Sequence, residues 1–201
     1  MIEPLEALQR LRAGNARFVA GTPHPSPRSR MEALGPQHPF AAVLGCADSR
    51  CPVEAIFDQG FGELFVVRVA GNVAEAAQIG SLEFAVQALG VRLILVLGHQ
   101  NCGAVQAALQ RPDGLPPALD GIIDAIEPAI GDLLPVAGTE PFEAILERAV
   151  SANARHAAEA LRSSSALIKR EVERGQVAIA SAVYAFDTGI VTFLDQRGVF
   201  S

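Results

Sequence analysis

Arg92-Leu93-Ile94-Leu95-Val96-Leu97-Gly98, followed by His99, is a short apolar run closed by a glycine. It shows no polar alternation, so it reads as a strand buried on both faces, the pattern of a parallel sheet covered by helices. Three other runs share this character: 40–45 (FAAVLG), 64–69 (LFVVRV) and 177–183 (VAIASAV). Helical patterns separate them at 78–89, 103–110 and 139–162, the last with Phe142, Ile145, Leu146, Ala149, Val150 and Asn153 along one side. Strand and helix in alternation give an α/β fold, with a mostly parallel central sheet of four strands flanked by helices. Asp187-Thr188-Gly189 and residues 190–194 add a turn and a further strand, which a two-residue hairpin places antiparallel at the sheet edge. Residues 111–138, with five prolines and four glycines, read as a loop-rich insertion or a weak helix.

Upstream of the sheet, Leu5, Leu8, Leu11, Asn15 and Phe18 fall at near-helical spacing and predict an amphipathic helix over 4–20. Gly21-Thr22-Pro23-His24-Pro25-Ser26-Pro27 then favours extended backbone and denies helix or ladder hydrogen bonds. An N-terminal helical arm over 1–35 followed by one α/β domain over 36–201 is the expected organisation. A helix held away on such an arm needs another surface for its apolar stripe, and a partner subunit is one candidate.

The 201 residues, 21.1 kDa, are the size of one ordinary domain. With 50% apolar and 19% charged residues the chain is not disordered, and no apolar run exceeds five residues, far short of a bilayer span. Sixteen basic against twenty-two acidic residues give a net charge of −6, with no basic cluster, which argues against nucleic acid. The acidic start shows no secretory signal, and a cytoplasmic address is expected. There a disulfide framework explains three cysteines poorly; metal binding or thiol chemistry explains them better.

Two of the buried strands end alike, Leu44-Gly45-Cys46 and Leu97-Gly98-His99. The carboxyl ends of parallel strands are where open α/β sheets bind ligands, so Cys46 and His99 are expected to emerge side by side. Cys102 follows at the start of the next helix, where free amides favour a thiolate. Two soft sulfurs and an imidazole select Zn²⁺ over magnesium or calcium. Three ligands leave one tetrahedral position open, the mark of a catalytic site. Asp48 and Arg50 follow Cys46 at alternating positions, spaced for the carboxylate to reach the outer shell of the metal and for the guanidinium to grip it. Two thiolates cancel the charge of the ion, so its water is less acidified than at a three-histidine site. Other readings stay open: Cys51 could close a Cys₃His structural site or pack as a small hydrophobe. Asp48 and Arg50 could be a surface ion pair, and Phe65 and Phe84 could simply be core.

Cys46-Ala47-Asp48-Ser49-Arg50 with Gly98-His99-Gln100-Asn101-Cys102-Gly103 resembles the paired zinc motifs of the β-class carbonic anhydrases. The likeness extends through Ala13-Gly14-Asn15-Ala16-Arg17-Phe18, Phe57-Asp58-Gln59-Gly60, Phe65-Val66-Val67-Arg68-Val69-Ala70-Gly71-Asn72 and Leu161-Arg162-Ser163-Ser164. The resemblance implies a zinc lyase that reversibly hydrates carbon dioxide to bicarbonate and a proton through a zinc-bound hydroxide, with Cys46, His99 and Cys102 on the metal. It implies Asp48, Arg50 and Gln37 as catalytic residues, Gln37 donating to a substrate oxygen, and Phe65, Phe84 and Gly103 on the substrate side. It further implies a homodimer or dimer of dimers with the site near the subunit interface, and a closed state in which Asp48 becomes a fourth ligand. The family often has tyrosine where Phe84 stands. Members under bicarbonate control carry a tryptophan where Val43 stands. Two rivals are kept: a carbonyl sulfide or carbon disulfide hydrolase on the same zinc, and a noncatalytic zinc-stabilised binding protein.

Overall fold

The computed structural model describes residues 2–24, 27–136 and 140–194; Pro25 and Ser26 of the arm, the stretch 137–139 where the long helix was expected to begin, and residues 195–201 lie outside it. The runs expected as strands form one sheet. β1 (Ala41–Cys46), β2 (Leu64–Val69), β3 (Leu93–His99) and β4 (Ala178–Tyr184) run parallel, β5 (Val191–Phe193) is antiparallel to β4, and the order is β2-β1-β3-β4-β5. Every residue of β1 and β3 is buried, as their apolar character on both faces requires. β2 departs from expectation: it is an edge strand, mostly half-buried, with Arg68 exposed. The connection from β4 to β5 is also wider than a two-residue hairpin. It spans 185–190 and is closed by bonds from Ala185 N–H to the Ile190 carbonyl and from Gly189 N–H to the Ala185 carbonyl.

Alternate side chains of each strand feed opposite layers. On one face Val43 and Leu95 pack with Ala7, Leu8 and Leu11 of α1 (Pro4–Ala20) and with Ile56 of the short α2 (Val53–Ile56). On the other, Leu44, Ile94 and Val96 meet Leu82 of α3 (Ala76–Leu89), Leu161 of α6 (Phe142–Ser164) and Ile168 of α7 (Ala166–Glu173). A third cluster lies beyond the carboxyl ends of the strands, where α4 (Gly103–Gln110), α5 (Pro117–Ile130) and α6 enclose Cys46 and Cys102. The segment expected as loop or weak helix is thus largely α5. Ile123, Ile126 and Ile130 lie on its buried side at spacings of three and four, and that burial holds it despite Pro128. Among the described residues no helix is long and apolar enough to cross a membrane.

The N-terminal helix lies on the body of its own chain instead of standing away from it. Asn15 is its anchor: Nδ2 donates to the carbonyls of Ile56 (3.2 Å) and Gly189 (2.9 Å), while Oδ1 accepts from Val191 N–H (2.9 Å). Gly14 permits that approach, because a methyl group there would land on the Phe57 carbonyl oxygen. Backbone cannot give way as a side-chain tip can, so Gly14→Ala is expected to lose about 1–3 kcal/mol of unfolding free energy. Urea titration followed by circular dichroism checks this; unchanged stability would mean that α1 shifts at no cost.

Candidate metal centre

β1 and β3 are neighbours with Gly45 opposite Leu97, so Cys46 and His99 leave the sheet side by side. Cys102 caps the N-terminus of α4, three residues past the end of β3. The Sγ atoms of Cys46 and Cys102 and a ring nitrogen of His99 lie within 4.8 Å of one another, the one such group among the described residues. All three side chains are buried, His99 and Cys102 to 1% exposure.

The imidazole is oriented by its other nitrogen. His99 Nδ1 lies 2.9 Å from the Gln100 carbonyl, which can only accept, so Nδ1 carries a proton and Nε2 is the nitrogen left for a cation or a second proton. Nε2 is buried and has no hydrogen-bond partner among the described residues. Gln100 is fixed in turn, its N–H donating to the Tyr184 carbonyl (2.8 Å) and its Oε1 accepting from Phe186 N–H (3.0 Å).

The electrostatics concentrate charge at the same point. A hydrogen bond from Cys102 pushes the Cys46 thiol down to about 4 against the cost of burial, and His99 helps. The same bond, with burial, raises Cys102, while the amides of Ala104 and Val105 at the start of α4 pull the other way. Burial opposes charge on His99, but the neighbouring Cys46 and Cys51 thiols outweigh it and lift the imidazole to about 10. Protons thus hold together a group that carries thiolate charge in a buried place. A soft divalent cation would displace them, and two sulfurs with an unpartnered imidazole nitrogen fit such an ion.

Asp48 and Arg50 lie at the rim. Asp48 Oδ1 accepts from Arg50 N–H and Nε (both 2.9 Å), and Oδ2 accepts from Nη2 at 2.7 Å. These bonds hold the carboxyl well below the usual carboxylate range. Oδ2 is 4.0 Å from His99 Nε2, so the carboxylate borders the triad while paired with arginine. Arg50 also lies over the Phe186 ring at 4.2 Å, a support that has no signature in the sequence. Arg68, an arginine within an apolar run, finds its partners here: Nε donates to the Cys46 carbonyl (2.9 Å) and Nη2 to the Asp48 carbonyl (2.6 Å).

Cys51 is buried in the neighbouring cluster with Phe40, Val53 and Tyr184, outside the three-atom group, although its thiol is near enough to raise the His99 pKa. Cys51→Ala is therefore expected to keep the metal stoichiometry of the parent chain, measured by atomic emission on dialysed protein. Loss of metal would make Cys51 a fourth ligand. Gly103 opens α4 and is exposed. The other two residues expected on the substrate side, Phe65 and Phe84, lie away from this triad. Phe65 sits opposite Ala42, four residues before the Val69 that faces Cys46, about 13 Å along the strand. Phe84 is beside Phe65, with ring centroids 6.2 Å apart, and half exposed. Gln37 is exposed in the segment that enters β1. Val43 is wholly buried.

Residues 41–191 match a family model described as carbonic anhydrase. Carbonic anhydrase 2 of Mycobacterium tuberculosis is 39% identical over 206 residues, covering 97% of this chain and 95% of that one. Among solved structures, the β-carbonic anhydrase CafA of Aspergillus fumigatus superposes with a TM-score of 0.71 at 28% identity, over 79% of this chain and 76% of that one. A tetrameric β-carbonic anhydrase of Sordaria macrospora shares the fold, with a TM-score of 0.74 at 22% identity over 94% and 95% of the two chains.

Proposed function

The chain belongs to the β-carbonic anhydrase family, and on that premise we propose that it is a zinc lyase interconverting carbon dioxide and bicarbonate. The observation that carries this reading is the convergence of Cys46, His99 and Cys102 beside an Asp48 locked to Arg50. Cys46 Sγ, His99 Nε2 and Cys102 Sγ would hold the zinc. When bound, zinc would supply the Lewis acidity that makes water nucleophilic, less strongly with two thiolate ligands than with three imidazoles.

The chain's own residues supply the orientation. Asp48, kept ionised, is an acceptor only, and its carboxylate takes the hydrogen bond of the attacking water so that the oxygen lone pair faces the carbon. Arg50 holds that carboxylate by two side-chain bonds and keeps it from swinging toward the cation as a fourth ligand. Carbon dioxide is small, apolar and electrophilic at carbon, so it needs an apolar wall and one donor for the charge growing on oxygen. Phe65, Phe84 and Gln37 suit those roles, with Gly103 at the mouth. Because edge strand β2 carries Phe65 away from its own triad, Phe65, Phe84 and Gln37 serve the site of a second copy, in a homodimer or a dimer of dimers, while Gly103 stays beside its own Cys102. A cytoplasmic setting keeps the three free cysteines reduced.

Stopped-flow hydration of carbon dioxide by the zinc-loaded protein tests the proposal, with saturable turnover above buffer expected. Bound zinc without turnover would leave a binding protein. Preferential turnover of carbonyl sulfide would move the chain to the hydrolases.

A further inference from the structure

Two buried hydrogen bonds in series connect the metal ligand Cys46 to the middle of α6. Gly71 lies in a tight turn after β2 with φ 69°, and its N–H donates to Cys46 Sγ at 3.4 Å. Its carbonyl accepts from Asn153 Nδ2 at 2.7 Å. The turn has little freedom. A side chain at Gly71 would meet Ile126 Cδ1 at 2.8 Å and Ala104 Cβ at 3.2 Å, and the next residue, Asn72, is also left-handed at φ 46°.

Asn153 is 1% exposed on the face of α6 that also buries Ala149, Val150, Ala154 and Ala157. An amide among such neighbours is costly to desolvate, and its Oδ1 has no partner among the described residues, so packing alone gives no reason for it. The bond that its Nδ2 donates ends on the residue whose amide points at the sulfur. We propose that Asn153 is a positioning residue for the metal centre: it fixes the turn at Gly71 so that the Gly71 amide stays on the Cys46 sulfur and sets how much charge that sulfur gives the metal. This rests on the reading of Cys46 as a metal ligand. An N–H donor draws density from a thiolate, so its loss makes the sulfur a stronger donor and leaves it less well placed.

The test loads wild type and Asn153→Ala with cobalt and compares their sulfur-to-cobalt charge-transfer absorption. The variant is expected to absorb at longer wavelength and to bind the metal roughly 10- to 100-fold more weakly. A band at the wild-type position overturns the proposal even if affinity falls, since loosened packing alone would weaken binding without changing the sulfur. A second measurement needs no variant. In wild type loaded with a spin-active cadmium isotope, the Gly71 amide proton should show scalar coupling to the metal through the sulfur. Bound cadmium without that coupling overturns the positioning role alone, whereas a wild type that takes up neither metal overturns the metal reading as well.

Discussion

Cys102→Ser is expected to lose its zinc and, with it, carbon dioxide hydration. The substitution isolates the ligand from the fold. Cys102 is the N-cap of α4, and serine is a better cap than cysteine, so the helix keeps its start while the soft donor is removed. The two remaining donors, Cys46 and His99, make a pair too few for tight zinc binding at neutral pH. Even supporting residues around zinc cost 10- to 100-fold in affinity or activity, so loss of a direct ligand is expected to exceed about 100-fold in zinc affinity. Competition against a chromophoric chelator measures it, with circular dichroism confirming the helix content. Zinc held as tightly as in the parent chain would mean that the triad is a buried thiol cluster and that the metal sits elsewhere. The contrast with Cys51→Ala sharpens the result, because both thiols are buried and both lie near His99, yet only Cys102 belongs to the converging group.

The sheet and triad were legible in the sequence for a shared physical reason. Strands buried on both faces must be continuously apolar, so the glycine that closes each run, with Cys46 or His99 after it, marks the point where the chain leaves the sheet. Adjacent parallel strands then require those endpoints to converge. The edge strand was harder to read, because β2 has the same apolar character although it is only half buried, and composition reports a preference without a neighbour. α5 was obscured by the prolines and glycines of the segment 111–138, whereas the isoleucines that hold it in place are visible as a pattern only once the third core cluster is known. Arg68 stood out as an anomaly, but its acceptors are main-chain carbonyls, which carry no sequence signature. The same holds for Gly71, whose role depends on the direction of an N–H and not on a side chain.

Asp48→Ala is expected to keep one zinc per chain and to lose about 10²- to 10³-fold in kcat, within the range of a positioned proton acceptor. The two parts of this expectation have different sources. Asp48 is paired with Arg50, and its Oδ2 lies 4.0 Å from His99 Nε2, so its removal takes no donor from the triad and binding of the ion should persist. What disappears is the acceptor that holds the attacking water in one orientation, an effect expressed in kcat. Arg50→Ala should fall between this variant and wild type. It leaves the carboxylate in place but removes both side-chain bonds that aim it, while the bond from the residue 50 N–H to Oδ1 survives. That ordering separates a mechanism from a surface ion pair. An exposed pair is worth at most about 1 kcal/mol of stability and nothing to turnover, so under that reading both variants would hydrate carbon dioxide at the wild-type rate. Stopped-flow kcat on the zinc-loaded proteins decides it, and equal rates in all three would remove Asp48 and Arg50 from the reaction.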